Sequence, residues 1–151
     1  MLIAVVADEG GGGRLQPLDV AGRPTGPAEH VDDLPAAVVA REQRHRPRWL
    51  WATTAAVYPS LVRSGVRVER CHDLELTEAL LLGYAGRWGE PRSLAAAWAR
   101  LTGAPVPADP PPQPPVPPGD GQGLLFESPT APAAAPGTDP LRALIEVYAD
   151  Q

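Results

Sequence analysis

The chain of 151 residues has no lysine, no asparagine, one cysteine and one phenylalanine. A single Cys71 excludes an internal disulfide and any zinc site built on cysteine pairs. All 13 basic residues are arginine, which fits a GC-rich coding sequence and is not read as selection for guanidinium chemistry. Long apolar runs are also missing. Met1 to Val6 is too short for a signal peptide or a membrane span, so a cytoplasmic protein with no membrane contact is expected. Nor is there an excess of positive charge, the formal balance being −5. Residues 1–103 carry 12 arginines against 12 acids and residues 104–151 one arginine against six acids. A neutral first part and an acidic tail argue against a stand-alone nucleic-acid binder.

Proline is plentiful, at 20 residues, most of them between 104 and 138. Such a tract takes extended polyproline geometry, removes backbone donors and reads as a semi-rigid, disordered linker. About 100 residues then remain for one modest core. The expected plan is a folded domain over 1–103, a linker over 104–138 and the start of a helix over 139–151. Thr138 or Asp139 caps that helix and Pro140 takes its first position. Leu141, Leu144, Ile145, Val147 and Tyr148 give it an apolar face, and no C-cap precedes Gln151, so the expectation is a helix cut in its middle.

Leu2 to Ala7 predicts a buried strand. Gly10 to Gly13 break it, and Arg14 to Val20 return as a second strand closed by the turn Ala21-Gly22-Arg23. Four glycines invite a phosphate-loop reading, but neither the P-loop Lys-Ser/Thr nor a G-x-G-x-x-G opening a helix is present, so a hairpin loop is expected. Asp32 or Asp33 caps a helix with Pro35 in its first turn, running to about Arg44. Trp49 to Ala52 predicts a strand, Thr53 or Thr54 a cap, and Ala55 to Arg63 a short helix interrupted by Pro59. Val66, Val68 and Cys71 suggest another strand, and Asp73 stands at the next N-cap. Leu74, Leu76, Leu80, Leu81 and Tyr84 follow at helical spacing up to Gly86. Ser93 caps a further helix whose apolar stripe is Leu94, Ala97, Trp98 and Leu101, ending at Gly103. The order is that of an α/β domain with a mixed sheet and helices packed on it.

Three phrases, R-C-H-D-L-E-L-T-E-A-L-L-L, G-R-W-G-E-P-R-S-L and the closing L-I-E-V-Y-A-D-Q, carry a family likeness. The chain resembles the later part of the proofreading exonuclease domain of bacterial DNA polymerase I. It is more similar to the N-terminal region of the actinobacterial-type bifunctional 3'-5' exonuclease/DNA polymerase, a family-A polymerase. The likeness covers most of residues 1–103 and the last dozen, as a whole-segment similarity without an invariant catalytic motif. It implies a shortened ribonuclease-H-like 3'-5' exonuclease fold and a parent enzyme that extends primer–template DNA with Mg²⁺ in replication or repair. It also implies that residues 139–151 lead into a polymerase domain, the present chain being an N-terminal fragment and a monomer.

Exonucleases of this kind hold two divalent ions on clustered carboxylates. The family's first pair is Asp-x-Glu at the end of the first strand, where positions i and i+2 share a side. Here Asp8 and Glu9 are adjacent, and on a strand they would face opposite ways. The family's next Asn and Asp fall near Thr53 and Val57, neither of which replaces a metal-binding carboxylate. Its Tyr-x-x-x-Asp would lie after Gly103, where the chain has become proline-rich. The catalytic set therefore reads as lost, and no metal site is assigned. Asp73-Leu74-Glu75 keeps the Asp-x-Glu spacing, with His72 and Glu78 close by. Asp8, Asp73 and Glu75 are thus the remaining candidates for a residual nuclease, although Asp73 matches a helix-capping aspartate of the family and Glu75 suits a first turn by its charge. Cys71-His72 lacks a second pair to complete a zinc site.

Two binding elements remain. Arg41, Arg44, His45, Arg46 and Arg48 form the one local basic cluster. Arg44, Arg46 and Arg48 are candidates for a phosphate backbone, set against the plainer reading of cations complementing a helix dipole. Trp49, Trp51, Trp88 and Trp98 could stack on bases, but their apolar neighbours favour packing roles for Trp49 or Trp51 and Trp98. Inside the linker stands an apolar island at 122–127. Gln122, Leu125 and Phe126 resemble the peptide by which bacterial replication proteins bind the sliding clamp, with Gly123 departing from the preferred leucine. This gives an alternative function, a non-enzymatic tether to the clamp.

Overall fold

Leu2, Ile3, Ala4 and Val5 are all buried, and consecutive buried residues require cover on both faces of a strand. The computed structural model, which describes residues 1–111 and 138–151, supplies that cover. The elements are β1 (Leu2–Ala7), β2 (Gly13–Leu18), β3 (Glu29–Val31), α1 (Leu34–His45), β4 (Arg48–Trp51), α2 (Thr54–Arg63), β5 (Cys71–Asp73), α3 (Leu74–Tyr84), α4 (Leu94–Thr102) and α5 (Pro140–Asp150). The sheet is mixed, in the order β3-β2-β1-β4-β5. β1 to β3 form an antiparallel meander, while β4 and β5 run parallel to β1, with Leu2 opposite Arg48 and Trp49 opposite Cys71.

Alternation along β1 divides the core in two. Ile3 and Val5 point into a cluster with Leu34, Val38, Val57 and Leu61 of α1 and α2. Leu2 and Ala4 point the other way, toward Leu74, Leu94, Ala97 and Leu144 of α3, α4 and α5. The last helix is therefore part of the domain: Leu141, Ala143, Leu144 and Val147 are buried in the same cluster as Leu2 and Ala4.

The glycines after β1 serve the hairpin. A Cβ on Gly12 would stand 2.5 Å from the carbonyl oxygen of Val31, and one on Gly13 2.7 Å from that of Val6, so only glycine lets the strands approach this closely. Asp33 caps α1 by accepting the N–H of Ala36 at 2.9 Å. Ser93 and Asp139 cap α4 and α5 in the same way.

Several expectations need correction. The strand expected from Val66 begins five residues later, at Cys71; Val66 and Val68 belong to the preceding loop and pack under α2 as irregular chain. Their period-2 pattern reports contact with the core without ladder pairing. Pro59 lies inside α2 without interrupting it. On α3 the buried residues are Leu74, Glu78, Leu82 and Gly83, whereas Leu76, Leu80, Leu81 and Tyr84 are exposed. The helix is apolar nearly all round, so its pattern could not say which side faces inward. Past Gly103 the chain runs irregularly and exposed to Pro111, yet Asp109 returns to the start of α4, accepting the N–H groups of Arg92 and Ser93 at 2.8–2.9 Å.

Candidate functional site

Parallel strands in an open α/β sheet place their carboxyl ends where ligands commonly bind. At this end a cleft of about 80 Å³ lies between β1, β4, α2 and α5. Asp8 and Glu9 line it together with Thr53, Val57, Pro140 and Leu144. The fold thus brings together Asp8, Glu9, Thr53 and Val57, four of the positions that the resemblance singles out. Asp8 and Glu9 do not face opposite ways as neighbours on a strand would. β1 ends at Ala7, and both lie in the turn that follows, which Asp8 closes by donating its N–H to the carbonyl of Gly12 and accepting that of Gly11. Asp8 also lies 3.6 Å from His30 Nδ1, with Asp32 on the other side of the ring at 3.5 Å from Nε2.

The remaining walls are aliphatic apart from Thr53. Leu144 has no exposed surface, and Val57 retains 4%. Pro140 and Leu144 are one helical turn apart on α5, and neither offers a metal ligand. Among the described residues no three His, Cys, Asp or Glu side chains gather closely enough to hold an ion. A pair of Mg²⁺ ions needs several anionic oxygens, and Asp8 and Glu9 are the only carboxylates among the lining residues. The donor set does not fit the two ions.

Asp73 is occupied elsewhere. Its Oδ1 accepts the N–H of Leu76 at 3.0 Å and starts α3, while its Oδ2 accepts the N–H of Thr54 at 2.6 Å and starts α2. Thr53, the N-cap residue of α2, makes no side-chain cap of its own. Glu75 is half-buried one residue inside α3; desolvation, aided by the carboxylates of Asp73 and Asp109, raises its pKa above the ordinary value. Burial, with Asp73 nearby, also pushes the Cys71 thiol up, the opposite of what an activated nucleophile requires. His72 shares its Nε2 with the Thr77 hydroxyl at 3.2 Å and the Gln151 side-chain oxygen at 3.3 Å. Its ring meets Tyr148 edge-on, with centroids 4.9 Å apart.

A second, larger cavity, about 460 Å³, opens between α3, α4 and α5. It is bordered by Glu78 and Arg100, which pair at 2.6 Å, and by Gln151, whose amide donates to Glu78 Oε2 at 2.9 Å and to the carbonyl of Leu74. Sequence reasoning missed this group; the one signal was Glu78 standing on the face opposite Leu80 and Leu76.

Arg44, Arg46 and Arg48 are exposed at the other end of the sheet, at the amino terminus of β4. Arg46 adopts a left-handed conformation as the C-cap of α1. Trp49 and Trp51 are fully buried, Trp98 packs partly against the α-helical side of the core, and Trp88 is exposed. Gln122, Leu125 and Phe126 lie outside the described residues. No described helix is long and apolar enough to cross a membrane.

Fold and cleft together define an α/β domain with a five-stranded mixed sheet and an aliphatic cleft at the carboxyl ends of its central strands. Comparison with protein-family models, with curated proteins and with solved structures finds no match.

Proposed function

We propose that this chain is a degenerate ribonuclease-H-like exonuclease domain of a family-A DNA polymerase, serving as scaffold or DNA-adjacent surface in replication or repair. The observation that carries this is the coincidence of strand order and cleft. A sheet ordered β3-β2-β1-β4-β5, with an antiparallel meander and two parallel strands, is the arrangement expected of that fold. The cleft lies where β1, the helix after β4 and the last helix meet. In the resembled family those three elements carry the carboxylates. Here they carry Asp8 and Glu9, then Thr53 and Val57, then Pro140 and Leu144. On this proposal α5, which packs in the domain core, corresponds to the helix bearing Tyr-x-x-x-Asp, with Pro140 and Leu144 at the same i, i+4 spacing, in place of the expected lead into a polymerase domain. Nucleotidyl transfer with Mg²⁺ belongs, on this proposal, to residues of the parent enzyme outside this chain.

An antibody raised against the folded domain tests the assignment. From cells that express the chain it should capture a polypeptide far larger than 15.9 kDa that extends a primer with deoxynucleotides. Capture of a 15.9 kDa species without extension activity would contradict it.

A further inference from the structure

Charge is unevenly placed along the strands, with Arg14 paired to Asp139 among the acids of one end and Glu42 and Glu69 among the arginines of the other. At their carboxyl ends stand Asp8, Glu9, Asp73, Glu75, Asp109 and Asp139. At the amino ends the end of α1 and the start of β4 present Arg44, Arg46 and Arg48, and the end of α2 and the chain leading to β5 present Arg63, Arg67 and Arg70, all exposed. The two stretches touch. Arg70 donates to the carbonyl of Arg46, the Glu69 N–H donates to Glu42 Oε1, and Arg46 pairs with Glu69 at 3.3 Å. Since Trp49 is the register partner of Cys71 and donates its N–H to the carbonyl of Arg70, the backbones at Arg48 and Arg70 run side by side, about 5 Å apart.

Helix-dipole complementation accounts for Arg44 and Arg63, which lie in the last turns of α1 and α2. It does not account for Arg48, Arg67 or Arg70, which lie outside those helices. Arg44, Arg48, Arg63 and Arg67 have no ion-pair partner among the described residues. On a chain of net charge −5, this edge is a local exception.

We infer that the edge formed by the α1–β4 and α2–β5 connections binds a nucleic-acid phosphate backbone, with the acidic cleft end turned away from it. The choice of nucleic acid over other polyanions rests on the DNA-acting function proposed above; the location of the surface does not. Among the described residues no exposed Phe, Trp or Tyr stands on this edge, His45 being its one exposed ring, so the ligand is a duplex backbone held through phosphates and without sequence preference.

Anisotropy of a short fluorescein-labelled DNA duplex, titrated with the full 151-residue chain, tests this. Four free guanidinium contacts predict an affinity that falls roughly a hundredfold between about 50 and 200 mM salt. The variant R44E/R48E/R67E should bind at least tenfold more weakly, with a salt slope reduced by about three, and should keep the wild-type circular-dichroism spectrum. D8A/E9A, at the opposite end, should bind as tightly as the wild type or more so. Wild-type chain that fails to bind DNA, binding untouched by the arginine reversals, or binding lost in D8A/E9A would each overturn the inference. So would arginine-dependent attachment to phosphatidylserine vesicles in place of DNA. None of these results bears on whether a larger polymerase is captured by the antibody, so the two proposals fail separately.

Discussion

Asp73 accepts the backbone N–H of Thr54 at 2.6 Å, across 19 residues of sequence. With its other oxygen it accepts Leu76 N–H, so one nearly buried carboxylate starts two helices, α2 above β4 and α3 after β5. A capping bond contributes about 1 kcal/mol. Asp73→Ala should therefore destabilise the chain by about 2 kcal/mol, read as a lower urea midpoint at unchanged slope. A loss below about 0.5 kcal/mol would show that the two caps are replaceable.

α5 and the outer face of α3 should respond oppositely to truncation. Leu144 is completely buried and Leu80 is 75% exposed. Leu144→Ala should cost about 3 kcal/mol, whereas Leu80→Ala should stay within about 0.5 kcal/mol. Equal effects would mean that α5 is not part of the core or that α3 faces the other way.

Much of this fold is legible in the sequence. The order of elements apart from the short β3, the caps at Asp73 and Ser93, and the buried run of β1 follow from local chemistry, and the cap of α1 is narrowed to Asp32 or Asp33. What the sequence hides is tertiary. Nothing near Asp73 marks it as the partner of Thr54, and the apolar residues spread round most of α3 do not say that Glu78 and Leu82 face inward while Leu76 and Leu80 do not. Strand alternation misled at Asp8 and Glu9, because the strand ends one residue earlier and a turn obeys no such alternation. The cleft was half visible, since Thr53 and Val57 are reached by counting along the chain. Pro140 and Leu144 are not, because they arrive from beyond the proline tract. Arg44, Arg46 and Arg48 form a visible run, but Arg63, Arg67 and Arg70 join it only through the parallel pairing of β4 with β5.

Glu75 and Asp109 should give stability opposite dependences on pH. Glu75 has its pKa raised by burial above its ordinary 4.5, so above that value the folded chain holds a proton that the unfolded chain has released. Stability therefore falls as pH rises from about 4.5 to the folded pKa, then levels off. Glu75→Gln should remove that fall and be more stable than the wild type at neutral pH. Asp109 runs the other way: burial raises its pKa, but the N–H groups of Arg92 and Ser93 outweigh it and the net shift is downward from 3.8. It contributes stability above that value, which is lost as pH falls through the folded pKa. Urea titrations of Glu75→Gln and Asp109→Asn across this range check the signs, Asp109→Asn being less stable than the wild type at neutral pH.

Phe126 decides the tether alternative. If Gln122, Leu125 and Phe126 dock on a bacterial sliding clamp, Phe126→Ala should abolish binding of the chain to immobilised clamp while leaving its thermal unfolding unchanged. Wild-type chain that does not bind the clamp removes that function.

The most direct test of the proposal that this cleft is a degenerate exonuclease site is hydrolysis of a 3'-labelled single strand by the purified chain with Mg²⁺ or Mn²⁺, with D8A/E9A alongside. A wall at Thr53, Val57, Pro140 and Leu144 that carries no carboxylate predicts no metal-dependent shortening in either protein. Shortening by the wild type that disappears in D8A/E9A would contradict the account, because it would mean that two carboxylates suffice to organise the metal ions that the cleft was held to have lost.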